Sequence, residues 1–431
     1  MRVFFCALGL LFAQCIQSQD VQDIEIRKQN ISRVFQNVDS LLSKDSGAFW
    51  GKSLKGSLLF VDPATRMVYA NENTPTQSLQ KEGNLFIGQF PKDKNIANTA
   101  LDWEDKTWSM VMLPLPKQAI RQQALTIHEL FHQLQPKIGF GNLKETDNGH
   151  MDTYDGRFWV KLELEALEAA LKADNPQQTK EHISHALLFR NKRHQDSLIQ
   201  NAENELELNE GLAEYTGIML SGATPVEMEE MLIDKKQRFF KAPSFVRSFP
   251  YLTIPFYGYL LSKIDPKWQL NITAETNLTS YFMKRFEIPT SAFKKNWDVS
   301  NKTYNSESIH LMELERAEVK KKQLADLKKR FVEGPTLTLP FQQMNISFNP
   351  NTLVPLEGHG TVYATLSITD VWGKVDARQG AMVKTNWSGV ILSKPHSITE
   401  ETVMGEGWTL QLNSGFKVFK SESGYMLKKE E

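Results

Sequence analysis

Residues 122–136 read QQALTIHELFHQLQP, and this stretch constrains the fold more than any other part of the chain. Ile120, Ala124, Ile127, Phe131 and Leu134 recur at steps of four, three, four and three. That is the spacing of one apolar stripe on an α-helix, and Pro136 is a stop for it. A helix of this kind must bury its stripe, so the stretch predicts a helix laid against a core. Its polar side then carries His128 and His132 one turn apart, with Glu129 directly after the first. Two imidazoles so placed can converge on one metal ion, and the adjoining carboxylate can hold and deprotonate a water there. The same residues could also be ordinary polar groups on an amphipathic helix. A third donor elsewhere in the chain decides between these.

A catalytic zinc site takes three protein ligands and keeps one position open. A third histidine six residues after the second, the metzincin arrangement, is excluded because that position is Ile138. The remaining candidates are glutamates on later helices. Glu163, Glu165 and Glu168 lie in KLELEALEAAL, whose charge predicts a solvated face. Glu205, Glu207, Glu210 and Glu214 lie in NELELNEGLAEYTG. The segment LNEGLAEY resembles the third-ligand segment of gluzincin peptidases, the aminopeptidase N and thermolysin-like group. On that resemblance Glu210 is the zinc ligand, with His128 and His132, and Glu129 is the general base. Glu214, one turn on, matches the carboxylate that orients a metal-bound histidine in thermolysin-like enzymes.

The resemblance also calls for a tyrosine to stabilise the oxyanion. Tyr251, after Pro250 in SFPYLTIPFYGYLLSKID, corresponds to it, with Tyr257 and Tyr259 as competitors. The segment WSMVMLPLP either matches the edge strand along which such peptidases hold the substrate backbone or is an ordinary core strand. The chain departs from the family in three ways. A long insert, Gly141 to Glu207, separates the second histidine from Glu210 and predicts two extra helices; its His182, His185 and His194 read as structural. Glu-Lys-Gly does not follow Tyr251, and no Gly-x-Met-Glu-Asn segment is found to bind a substrate amine.

Around this segment the pattern predicts an α+β fold, and the resemblance implies a zincin-like catalytic region within it. A helix over Val21 to Leu42 is followed by strand-like runs SLLFVD, RMVYANE, NLFIGQF and TWSMVMLPL. Residues 19–116 thus read as an N-terminal α/β subdomain, 117–333 as a helical body and 334–431 as a β-rich unit that starts at Gly334 and Pro335. In the last unit Trp372, Trp387 and Trp408 read as core aromatics or as a binding surface. Basic and acidic residues nearly cancel (50 Lys and Arg, 51 Asp and Glu), which argues against a nucleic-acid partner. Arg2 and the short apolar run Val3 to Ala13 read as a secretory signal cut near Ser18. Cleavage there removes Cys6 and Cys15, leaving no thiol; Cys15 as a lipid-attachment site is the alternative. No transmembrane helix is expected. The sequence thus points to a secreted or periplasmic zinc peptidase acting on peptides or proteins. A non-catalytic zinc-binding protein and a zinc hydrolase of a non-peptide amide or ester are the alternatives.

Overall fold

Helix α1 (Phe4–Asp45) runs through the expected leader from Phe4 onward and through the expected helix, and the first three residues lie outside the described ones. The computed structural model describes residues 4–144, 146–194, 196–294, 297–298, 302–348, 353–421 and 424–430, with side chains described from residue 24. Ile31, Val34, Phe35, Val38 and Leu42 of α1 are buried and repeat at helical spacing. This stripe joins the main core, where Phe35 meets Phe60 with ring centroids 4.7 Å apart.

Phe60 belongs to a six-stranded sheet. Its strands are β1 (Leu58–Val61), β2 (Met67–Ala70), β3 (Gln80–Glu82), β4 (Leu85–Gln89), β5 (Thr99–Trp103) and β6 (Lys106–Met112), in the order β3-β4-β2-β1-β6-β5. Alternation across β1 sends Leu58 and Phe60 to the helical core. It sends Leu59 and Val61 to a second cluster with Val68, Trp108 and Met110. Only the β1–β6 pair is parallel. Because β6 lies between β1 and β5, WSMVMLPLP is an interior strand and not the expected edge. The edge beside β6 is β5, whose sequence TALDW mixes polar and apolar residues and gave no clear strand signal.

Ten helices are described: after α1 come α2 (Ala119–Leu134), α3 (Tyr154–Leu171), α4 (Pro176–Arg193), α5 (Ser197–Leu206), α6 (Leu212–Leu220), α7 (Pro225–Phe240), α8 (Pro250–Ser262), α9 (Leu278–Arg285) and α10 (Ser306–Lys328). The insert predicted to hold two helices supplies those two, α3 and α4, and a third, α5, that the sequence reading did not anticipate. Asn175 caps α4 by accepting from the Gln178 amide, and Pro176 takes its first position. A π-helical turn, Glu207–Gly211, joins α5 to α6. Among the described residues, no helix is long and apolar enough to cross a membrane.

The expected solvated face of α3 is not there. Glu163 is 0 % exposed and sits between two arginines of α4, Arg190 and Arg193, at 3.1 and 2.7 Å. Glu165 and Glu168 both pair with Lys236 of α7. Charge density in sequence misled here because these acids find cationic partners on neighbouring helices.

The chain divides into two compact units, Met1–Glu313 and Leu314–Glu431. The sheet and the helical body therefore share the first unit, and their apolar faces form one core. The change from helix to strand still comes where Gly334 and Pro335 stand, after a π turn at Lys329–Glu333. In the second unit a seven-stranded and a six-stranded sheet contribute to one core that includes Leu339, Val390, Ile368 and Leu410. Trp372 and Trp408 are buried in it, whereas Trp387 is 45 % exposed in the turn before Gly389.

What most affects the first unit's centre is the packing of α2 on α6. A Cβ on Gly217 would fall 2.4 Å from the Ala124 carbonyl oxygen and 3.4 Å from the His128 Cβ. Glycine at this position lets the two helices approach at backbone contact. Gly217→Ala is therefore expected to force them apart and to lower unfolding stability by about 1–3 kcal/mol. Urea denaturation of the two proteins checks this.

Candidate metal centre

Helix α2 is tied to the sheet by two hydrogen bonds. The Ser109 hydroxyl of β6 donates to the Glu129 carbonyl at 2.7 Å, and the Gln133 amide donates to the Ser57 carbonyl at 2.8 Å. The apolar stripe Ala124, Ile127, Phe131 and Leu134 is buried below. His128 and His132 consequently emerge on the side facing α6, with ring centroids 4.9 Å apart.

Glu210 comes to them from the π turn. The Leu212 amide reaches back to the Glu207 carbonyl, five residues away, which widens the turn and changes the phase between Glu207 and Glu210. Glu207 is turned inward, where it accepts from Arg190 at 2.9 Å and from the Thr253 hydroxyl at 2.6 Å. Glu210 is left facing α2. Gly211 allows α8 to pass close by, since a Cβ there would meet Ile254 Cγ1 at 2.5 Å. This brings Tyr251, in the first turn of α8, over the same site.

The resulting donor geometry can be compared with that of a metal. Zinc bonds of about 2.0–2.1 Å at tetrahedral angles separate neighbouring ligand atoms by roughly 3.3–3.4 Å. The His128 and His132 Nε2 atoms lie 3.1 Å apart, and Glu210 Oε2 lies 3.5 Å from the first and 3.6 Å from the second. His128, His132 and Glu210 form the one such three-donor group found among the described residues. Two imidazoles and one carboxylate are a donor set that zinc accepts.

Each imidazole is oriented from behind. His128 Nδ1 lies 3.0 Å from Glu214 Oε2, and the other Glu214 oxygen receives Lys235 of α7. His132 Nδ1 lies 2.7 Å from Gln135 Oε1, whose amide donates to the Asn209 carbonyl at 2.8 Å. Carboxylate and amide oxygens at Nδ1 favour a proton there and leave Nε2 of each ring on the side of Glu210, where a metal ion would be held. Sequence reading raised Glu214 but missed Gln135 and Lys235. Gln135, one turn after His132 on the same helix side, was legible from spacing alone; Lys235 was not.

Electrostatics follow from burial and crowding. Burial pushes the Glu129 carboxyl up, Glu210 and Glu214 add to the rise, and the two imidazoles oppose it. Its Oε2 is buried without a hydrogen-bond partner, an orphan acceptor on a residue that lines the cleft. Burial would also raise Glu214, but Lys235 and His128 outweigh it and hold the carboxyl down at about 2. For Glu210 the imidazoles and Tyr251 likewise outweigh burial, so it remains ionised. Burial alone would lower His128, yet Glu210 and Glu214 raise it to about 10. A cation at Nε2 would take over from the proton that these carboxylates favour.

The other expected residues are sorted by the fold. The Tyr251 hydroxyl donates to Glu210 Oε2 at 2.5 Å, and its ring stacks on His128 at 5.5 Å. Tyr257 is buried with its hydroxyl on Glu163, and Tyr259 bonds Glu229, so neither hydroxyl is directed to the His128–His132–Glu210 group. Glu205 receives the Lys144 amide and Glu207 is held by Arg190, which removes both as third donors. His194 contacts Glu203 at 2.9 Å, while His182 and His185 share the Tyr304 hydroxyl. A cleft of about 680 Å³ opens over the centre, lined by Thr99 and Ala100 of β5 as well as by the histidines, Glu129, Glu210 and Tyr251.

In comparisons with known proteins, no family model, curated protein or solved structure matches this chain. What the centre can do is thus decided by its own geometry. Glu214→Gln and Gln135→Leu are each expected to weaken zinc binding by about 10–100-fold while leaving all three donors in place. Competition with a chromophoric chelator measures this, and an unchanged affinity would remove the orienting role.

Proposed function

We propose that this protein is a zinc-dependent peptidase of the gluzincin type, with His128, His132 and Glu210 as metal ligands. The supporting observation is the trio of donor separations near a tetrahedral edge, beside a buried acceptor oxygen of Glu129 that lacks a partner. A zinc ion held there supplies Lewis acidity, which makes water a nucleophile near neutral pH and polarises a carbonyl.

The chain's own groups account for the rest of the chemistry. Glu129 Oε2 accepts a proton from the attacking water and returns it to the leaving nitrogen, a task that suits a carboxyl with a raised pKa. The Tyr251 hydroxyl, kept protonated by burial and by Glu210, is a donor for the negative charge that develops on the substrate carbonyl oxygen. The backbone of β5 forms the free edge of the sheet beside the cleft, where an extended peptide can add as a further strand. The N-terminal run of Arg2 and Val3 to Ala13 supports a location outside the cytoplasm, secreted or periplasmic.

Two substitutions test the assignment. Glu129→Gln is expected to keep stoichiometric zinc and to lose peptide hydrolysis by roughly 10²–10⁴-fold, read by metal analysis and by cleavage of a mixed peptide library. Glu210→Ala is expected to lose metal affinity by more than the roughly 10–100-fold expected of an outer partner. Zinc bound stoichiometrically with no hydrolysis of any peptide would favour the non-catalytic reading.

A further inference from the structure

The cleft divides its charges unevenly. Among its described lining residues the carboxylates are Glu129, Glu210 and Glu214, and all three belong to the metal centre. The other ionised side chains are basic: Arg121, Lys235, Arg238 and Arg247. Lys235 is committed to Glu214. Arg121 and Arg238 instead share a single carboxylate oxygen, Asp234 Oδ2, with Arg238 at 3.4 Å. Two guanidinium groups against one carboxylate leave one positive charge in excess there. Arg247, one turn ahead of Tyr251, adds a further guanidinium to the lining.

Position gives this excess a meaning. Arg121 precedes His128 by two turns of α2, roughly 10 Å along the axis at about 1.5 Å per residue. An extended peptide covers that distance in about three residues. Apolar side chains of Leu125, Ile218 and Met231 line the same cleft and lower its dielectric, which focuses the field of the arginines on a bound chain. The guanidinium fork also fits a carboxylate with two parallel hydrogen bonds.

We infer that the Arg121–Arg238 end of the cleft is a recognition site for a substrate carboxylate, placed two or three residues from the bond to be cleaved. The inference rests on the peptidase reading for its register but not for its chemistry. The carboxylate can be a glutamate or aspartate side chain or the C-terminus of a short peptide. Asp234 holds both guanidinium groups in place, and an incoming carboxylate completes the charge balance.

Binding and cleavage are tested separately with acetylated alanine hexapeptides. One glutamate, or its isostere glutamine, is moved through each position, and each peptide is made as a free acid and as an amide. Zinc-loaded Glu129→Gln protein is titrated with each by calorimetry. The expected result is about tenfold tighter binding of the glutamate form over the glutamine form at one position, or of the acid over the amide. The first outcome assigns a side chain and the second a C-terminus. In Arg121→Gln the preference shrinks to less than about twofold, and in Arg238→Glu the corresponding lysine peptide becomes the preferred ligand. Equal affinities throughout, no binding of any peptide, or a preference that survives both arginine substitutions overturns the inference. Hydrolysis of the same peptides by the unsubstituted protein reports on the peptidase reading alone: selective binding without cleavage sustains the carboxylate site and removes the catalytic assignment.

Discussion

Everything at the centre of the first unit depends on how closely α2 and α6 can lie. The donors come from α2 and from the π turn that leads into α6, segments distant in sequence, and small ions need their ligands within a few tenths of an ångström of an ideal distance. Gly217 against the Ala124 carbonyl sets that distance at the backbone, where side-chain rotamers cannot relax it. Gly211 does the same between the π turn and α8. Two missing Cβ atoms thus bring the imidazoles, the carboxylate and the tyrosine to one point.

Orientation of Glu210 is a separate matter from distance, and buried charge provides it. Arg190 is fully buried and is satisfied by Glu163, Glu207 and the Thr279 hydroxyl. Arg193 and Glu203 extend the network with bonds of 2.7 and 2.8 Å. Coulombic attraction to Glu207 and Glu163 outweighs burial and keeps Arg190 charged. Such pairs add little net stability compared with apolar packing, but breaking one leaves an uncompensated charge and costs about 3–5 kcal/mol. The network therefore gives the π turn one allowed phase, with Glu207 inward and Glu210 outward.

The α+β class, helix α2 and most long strands were legible because their apolar spacing is strong. The signal was weakest where polarity served a tertiary purpose. β5 escaped notice because an edge strand at a cleft needs no continuous apolar face. Glu163 read as solvent-facing because sequence shows charge but not Arg190 and Arg193 facing it. Glu210 stood out from the other glutamates by its Asn-Glu-Gly context, and the fold places its carboxylate beside both imidazoles. The π turn that aims it left no trace in residue pattern, since its phase is fixed by contacts from α4. Tyr251 could not be separated from Tyr257 in sequence; burial of the latter against Glu163 separates them in space.

The bridge from Glu214 to Lys235 has a mechanical consequence. One carboxylate joins His128 of α2 to a lysine of α7, and that lysine also lies 5.1 Å from the Tyr251 ring of α8. Four helices, α2, α6, α7 and α8, thus meet around the Glu214–Lys235 pair. A cation at the histidines would act as a staple across this junction, and its concentration would enter the folding equilibrium as a logarithm. Metal supply and resistance to unfolding would then vary as one quantity in this protein.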